Sequence, residues 1–181
     1  MSCRIAVLTG RPGIGKTTTV LRTADLLKMR GFKVGGFVTV EVRHEGRRVG
    51  FELVDILDGV RSVMASESLK THLRVGRYGL YPGFGDAGAD AVSKSMAGCD
   101  VTVVDEIGPM ELKSPRLVEA LYSLLEASCT TLATVHYTLK HPLIQTAVKK
   151  AGPHYYILDE SNRRRMPEKL VELLESWTRL R

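Results

Sequence analysis

The sequence predicts an α/β fold of three layers, with helices on both faces of a mostly parallel sheet and a β-hairpin at one edge. Three observations carry this expectation. Short apolar runs suited to strands buried on both faces alternate with helical patterns of about ten to fifteen residues, the signature of right-handed βαβ crossovers. Two β-rich runs, "KVGGFVTVEV" and "RRVGFELVDI", flank the turn-like "RHEGR" with no helix between them, so residues 33 to 56 read as the hairpin. No repeat, low-complexity tract or linker interrupts the 181 residues. That length is near the common size of a single folding unit, so residues 1–181 are expected to form one domain.

The elements follow in chain order. "RIAVL" is the first buried strand, and "TTTVLRTADLLKMRG" is a helix with Val20, Ala24 and Leu27 on one face, basic residues in its last turn and Gly31 as its stop. After the hairpin, "LRVGRYGLY" has strand character, and the glycine-rich "PGFGDAGAD" leads into a helix ending near Gly98. Strand "VTVVD", helix "PRLVEALYSLLEA", strand "TTLATV", a helix from about His141 to Lys150, strand "HYYIL" and a last helix from about Pro167 complete the pattern.

Composition narrows the class without choosing a function. The charged fraction of 25% and hydrophobic fraction of 44% are ordinary for a soluble globular protein. No signal-peptide layout or long uncharged apolar run appears, so a cytoplasmic location with no membrane partner is expected. The three cysteines, Cys3, Cys99 and Cys129, form no CxxC pair and read as reduced thiols. A net charge of +6 favours anionic partners in general, nucleotides and nucleic acids alike.

Chemistry concentrates first in "LTGRPGIGKTTTV", where small residues replace bulk between two apolar runs. Gly10, Arg11, Pro12, Gly13, Ile14, Gly15, Lys16 and Thr17 fit GxxxxGK[ST], after a strand and opening a helix, where the mechanism of that motif requires them. Glycines let the backbone curl so that its N–H groups point inward, and the helix N-terminus adds partial positive charge. That hollow fits phosphates. Lys16 would reach the β- and γ-phosphates as a compact cation, and the Thr17 hydroxyl would ligate Mg2+. The three-layer αβα fold is therefore expected to be of the P-loop NTPase type.

The partner element is an acidic strand tip. "VTVVDEIG" supplies Asp105 to hold Mg2+ and Glu106 to orient and deprotonate an attacking water. Asp105 and Gly108 also fit the DxxG switch of GTPases. However, Asn162, the one asparagine of the chain, begins "NRRR", so no NKxD guanine reader is present.

At these residues the chain resembles the thermostable nucleoside-triphosphatase family of the THEP type. Besides "GRPGIGKTT", the resemblance includes "GFVTVEVRHEGRRVGFELVDI", "VGRYGLY", "VVDEIGPMEL", "ATVH" and "NRRRMP", in family order and nearly end to end. It implies a P-loop fold with an extra strand between the two phosphate motifs. It further implies slow, Mg2+-dependent hydrolysis of ATP, GTP and other nucleoside triphosphates with loose base preference. Gly10 to Thr17 then carry over as nucleotide-binding, as do Val101, Thr102, Val103, Val104, Asp105, Glu106, Ile107 and Gly108. Pro109 departs from the family pattern, in which many members have lysine.

Three further residues are candidates by position. His136 ends the "TTLATV" strand, where it either senses the γ-phosphate or caps the following turn. Arg163 in "NRRRMP" either contacts nucleotide or lies in a solvated basic turn, and Arg77 in "VGRYGLY" is a cation within possible reach of phosphate. Two rival functions remain open. One is a kinase-like phosphotransferase with an unidentified nucleotide or nucleoside acceptor, held by residues 79 to 90. The other is a nucleotide-dependent RNA- or protein-binding module, which an aromatic content of 6% and the lack of an RNA-reader pattern leave unsupported.

Overall fold

A computed structural model of the chain describes residues 4–179. A nine-stranded sheet runs through it in the order β5-β6-β4-β3-β2-β7-β8-β1-β9. Five strands form a parallel block: β1 (Arg4–Thr9), β2 (Val34–His44), β7 (Val101–Ile107), β8 (Thr130–Val135) and β9 (Tyr155–Ile157). An antiparallel arm extends it through β3 (Arg47–Asp55), β4 (Arg61–Ser66), β5 (Arg74–Val75) and β6 (Tyr78–Leu80). β8 lies between β1 and β7, which is the inserted strand that the family resemblance implies.

Strand alternation divides the core into two layers. Ile5 and Val7 of β1 face α2 (Asp86–Gly98), α3 (Pro115–Glu126) and α4 (Pro142–Ala151) through Val92, Leu117, Leu121 and Leu143. Ala6 and Leu8 face α1 (Lys16–Met29) and α5 (Met166–Arg179) through Val20, Leu27, Leu170 and Leu174. The result is helix, sheet and helix. α3 illustrates how sequence sets this placement. Ser114 accepts a hydrogen bond from the Leu117 amide at 3.3 Å and Pro115 opens the helix, so Leu117, Leu121, Leu124 and Leu125 fall on one buried stripe.

The arm departs from the expected layout. The β2–β3 hairpin is not at the edge, because β2 pairs with β7 and β3 pairs with β4, a strand the apolar pattern did not signal. The edge belongs to the β5–β6 hairpin, built from the "LRVGRYGLY" segment. A separate apolar cluster of Met64, Ala65, Tyr78, Leu80, Phe84 and Met110 anchors this arm. Within residues 79 to 90, Leu80 and Phe84 belong to this cluster, whereas Pro82, Gly83, Asp86 and Asp90 are exposed. Cys99 and Cys129 are free and half-buried, whereas Cys3 lies outside the described residues. Among the described residues, no helix is long and apolar enough to cross a membrane.

Candidate active site

The phosphate loop joins β1 to α1. Gly15 occupies the left-handed region at φ 106°, which turns the chain into the helix, and no side chain caps the helix start. No acidic residue stands in the first turn, so the amides there remain available to an external anion. α3 and α4 differ, since Ser114 and the His141 ring cap theirs.

A cleft of about 650 Å³ opens above this loop at the carboxyl ends of β1, β7 and β8, where ligands enter parallel sheets. Pro12, Gly13, Gly15, Lys16, Thr17 and Thr18 line one side, with Asp105 and Glu106 opposite. Lys16 Nζ donates to the Gly10 carbonyl at 3.2 Å and lies 3.4 Å from Glu106 Oε2. Asp105, only 1% exposed, accepts from Thr17 Oγ1 at 2.7 Å and from Thr134 Oγ1 at 2.6 Å. Burial pushes the Asp105 carboxyl up to about 6, against the hydrogen bonds from Thr134 and Thr17; the Glu106 charge adds to the rise and Lys16 opposes it. A hydroxyl and a carboxylate side by side are hard oxygen donors, the set that suits Mg2+ held together with substrate phosphates.

Sequence reasoning missed Glu111. It sits in a short 3₁₀ turn after β7, is 4% exposed, and accepts from Thr39 Oγ1 at 3.1 Å while lining the same cleft. Burial raises its carboxyl to about 8; a backbone N–H and Thr39 oppose this, whereas the charges of Glu106 and Asp105 reinforce it. The residue is present in "VVDEIGPMEL", but spacing alone does not reveal that the turn buries it.

The other sequence candidates fall into distinct places. His136 lines the cleft, and its Nδ1 also accepts the amides of Thr138 and Leu139 at 3.4 and 3.2 Å, so it caps a turn and faces the site at once. Within the loop, Arg11 is exposed and its carbonyl accepts from Ile14 N at 3.2 Å, Gly10 O accepts from Lys16, and Ile14 packs on the core. Val101, Thr102, Val103 and Val104 lie in the strand that leads to the cleft. They are buried inside β7, with Thr102 bound to Ser95 at 2.8 Å, and their part is to carry Asp105 to the strand tip. Ile107 is likewise buried and its carbonyl accepts from His136 N at 3.1 Å. Gly108 forms the bend between Glu106 and Glu111.

Arg77 stays outside the cleft lining. Its Nε donates to Tyr78 Oη at 3.0 Å and its guanidinium lies 3.6 Å from Glu67. Arg163 is exposed on the turn after β9, where its amide donates to Asp159 O at 3.0 Å, and it is not among the residues lining the Lys16 cleft.

A glycine-rich loop opening an uncapped helix, on a three-layer sheet with the acidic strand one strand removed, defines a protein of the P-loop nucleotide-binding class. A family model described as NTPase matches residues 5–171. The chain belongs to that family. Among its relatives, the nucleoside-triphosphatase THEP1 of Methanopyrus kandleri is 37% identical over 94% of this chain and 95% of its own. The protein of the same name from Methanosarcina acetivorans is 41% identical over 93% of this chain and 94% of its own. The crystal structure of THEP1 from Aquifex aeolicus superposes with a TM-score of 0.80 at 26% identity, covering 94% of this chain and 99% of that one. The solution structure of a human cancer-related nucleoside triphosphatase gives 0.79 at 29% identity, covering 96% and 98%.

Proposed function

We propose that this chain hydrolyses nucleoside triphosphates, ATP and GTP among them, to the diphosphate and phosphate, with Mg2+ and with loose selection of the base. The observation that carries this reading is the convergence of Lys16, Thr17, Asp105 and Glu106 at one end of a single cleft. Names of the relatives at 37% and 41% identity point the same way.

Thr17 and Asp105 would hold the Mg2+, whose contribution is neutralisation of charge on the β- and γ-phosphate oxygens. The loop amides and the α1 N-terminus bind the phosphate chain and present it in one orientation. Lys16 stabilises charge on the transferring group. Glu106, 3.4 Å from that ammonium, accepts a hydrogen bond from water and takes its proton during in-line attack.

Loose base selection is supported by Asn162, whose side chain is consumed by its own turn: Oδ1 accepts from Asp159 N at 3.0 Å and Nδ2 donates to Ile157 O at 2.8 Å. Slow turnover is supported by the arginines. Among the described residues, Arg48 is the arginine that lines the cleft, and it is paired with Glu41 at 2.7 Å, so no unpaired guanidinium is part of that lining.

Substituting Glu106→Gln tests the assignment, because the amide keeps the shape but loses the base. Steady-state phosphate release should fall by about 100-fold or more, while affinity for a non-hydrolysable analogue with Mg2+ is retained. Unchanged turnover would refute the role of Glu106.

A further inference from the structure

The cleft is longer than a triphosphate tail needs. Past Glu106 it continues between the β2–β3 hairpin and the tip of β5–β6. Its floor is Thr39 and Glu111, joined at 3.1 Å, and one wall is Phe51 and Tyr78, whose rings meet edge to face at 5.1 Å. The Arg48 guanidinium lies 5.2 Å from the Phe51 centroid and 5.7 Å from that of Tyr78, and its Nε donates to Tyr78 Oη at 3.0 Å. Val40, Val75 and Met110 add apolar surface.

Shape and charge select the occupant. Tyr78 is buried and backs this wall, while half-buried Phe51 and the Arg48 guanidinium over it, bordered by aliphatic side chains, offer flat surface on which heterocyclic rings stack. Charge argues against a second phosphate. Arg48 is committed to Glu41 at 2.7 Å and Lys16 to the triphosphate end, so an added anion would sit beside Glu41 and Glu106 without an unpaired lysine or arginine among the lining residues. Hydroxyl groups are suited instead, since Thr39, Glu111 and Glu41 offer both donors and acceptors. Glu111 contributes a donor because burial holds its proton near neutral pH.

We propose that this half of the cleft binds an uncharged nucleoside and that the γ-phosphoryl group is transferred to one of its hydroxyls in competition with water. This rests on the reading of Lys16, Thr17, Asp105 and Glu106 as the triphosphate end. In the transfer, the nucleoside hydroxyl oxygen forms a bond to the γ-phosphorus and the bond from that phosphorus to the bridging oxygen breaks. The electron pair leaves with the nucleoside diphosphate, and the hydroxyl proton passes to the Glu106 carboxylate. The products are one nucleoside diphosphate and one nucleoside monophosphate. Glu106 thus serves the same role toward either hydroxyl donor, and occupancy of the hairpin half decides which one reacts.

The test incubates the full chain with γ-labelled ATP and Mg2+ plus adenosine, guanosine, cytidine, uridine or thymidine, with the matching monophosphates as parallel arms, and separates the products. Labelled nucleoside monophosphate should form saturably. Filling the pocket by Val75→Trp or removing its wall by Phe51→Ala should lower that product by about ten-fold or more, while phosphate release without nucleoside is unchanged. The two positions lie on different strands, β5 and β3, so a folding defect in one variant leaves the other decisive. Label found only in phosphate in every nucleoside arm, transfer confined to the monophosphates, or transfer undiminished in both variants would overturn the proposal while leaving the hydrolase reading intact. Absence of any ATP turnover would overturn both.

Discussion

Glu111 and Asp105 have carboxyl groups that burial shifts in the same direction, yet their surroundings assign them different work. Asp105 keeps two threonine hydroxyls on its oxygens and faces the loop, whereas Glu111 keeps Thr39 and faces the hairpins. For Glu111 the ordinary value of 4.5 becomes about 8 in the folded chain, so between these values the folded chain holds a proton that the unfolded chain has released. Stability therefore falls as pH rises through that window. Glu111→Gln removes this dependence: its Tm relative to the parent should rise between about pH 5 and about pH 8. A Tm difference that does not vary with pH, followed by calorimetry, would contradict the burial argument. Thr134→Val keeps shape but removes the 2.6 Å bond to Asp105 Oδ1, and chemical denaturation should show a loss of about 1–3 kcal/mol. No loss would mean that the carboxyl is satisfied without Thr134. Lys16, Thr17, Asp105 and Glu106 could be read from sequence because strand-to-helix and strand-tip contexts are local. Glu111 and Thr134 could not, because their importance arises only from what a neighbouring strand brings against them.

At the scale of elements, β2 is where the parallel block hands over to the antiparallel arm. Gly36 lies at φ 97°, and a Cβ there would sit 2.0 Å from the Val103 carbonyl oxygen of β7, the strand that carries Asp105. Gly36→Ala should therefore cost more than about 2 kcal/mol and weaken activity through displaced β7. Gly46→Ala, at φ 77° with open space around it, should cost only about 1–2 kcal/mol. Denaturation of the two variants side by side checks this, and equal losses would deny the close approach. The helices α3 and α4 and the strands β1, β7 and β8 were legible because period, caps and apolar runs agree within each segment. β4 was not. "RSVMAS" has two buried residues, Met64 and Ala65, side by side between exposed Val63 and half-buried Ser66, so its strand character comes from pairing with β3 and β6 and not from alternation. The rule that a hairpin sits at an edge failed for the same reason: β4 covers β3 and β6 in turn covers β4, and nothing within residues 33 to 56 announces them.

Across the whole molecule, the sheet order makes the site. Placing β8 between β1 and β7 sets the phosphate loop one strand away from the acidic tip, a spacing that lets Lys16 meet Glu106 and Thr17 meet Asp105. The chain carries a net +6, yet the carboxyls of Glu41, Asp105 and Glu106 line the cleft. Without Mg2+ a triphosphate would enter against these carboxyls with Lys16 as its principal cation, so metal and nucleotide should bind as a unit. Isothermal calorimetry with a non-hydrolysable ATP analogue, with and without Mg2+, on the parent chain and on Lys16→Ala, measures the central claim directly. The account predicts saturable binding that requires Mg2+ for full affinity and is weakened by about 10-fold or more in Lys16→Ala, in line with loss of a charge-assisted contact. No heat of binding in the parent chain, or equal affinity in the two proteins, would contradict it.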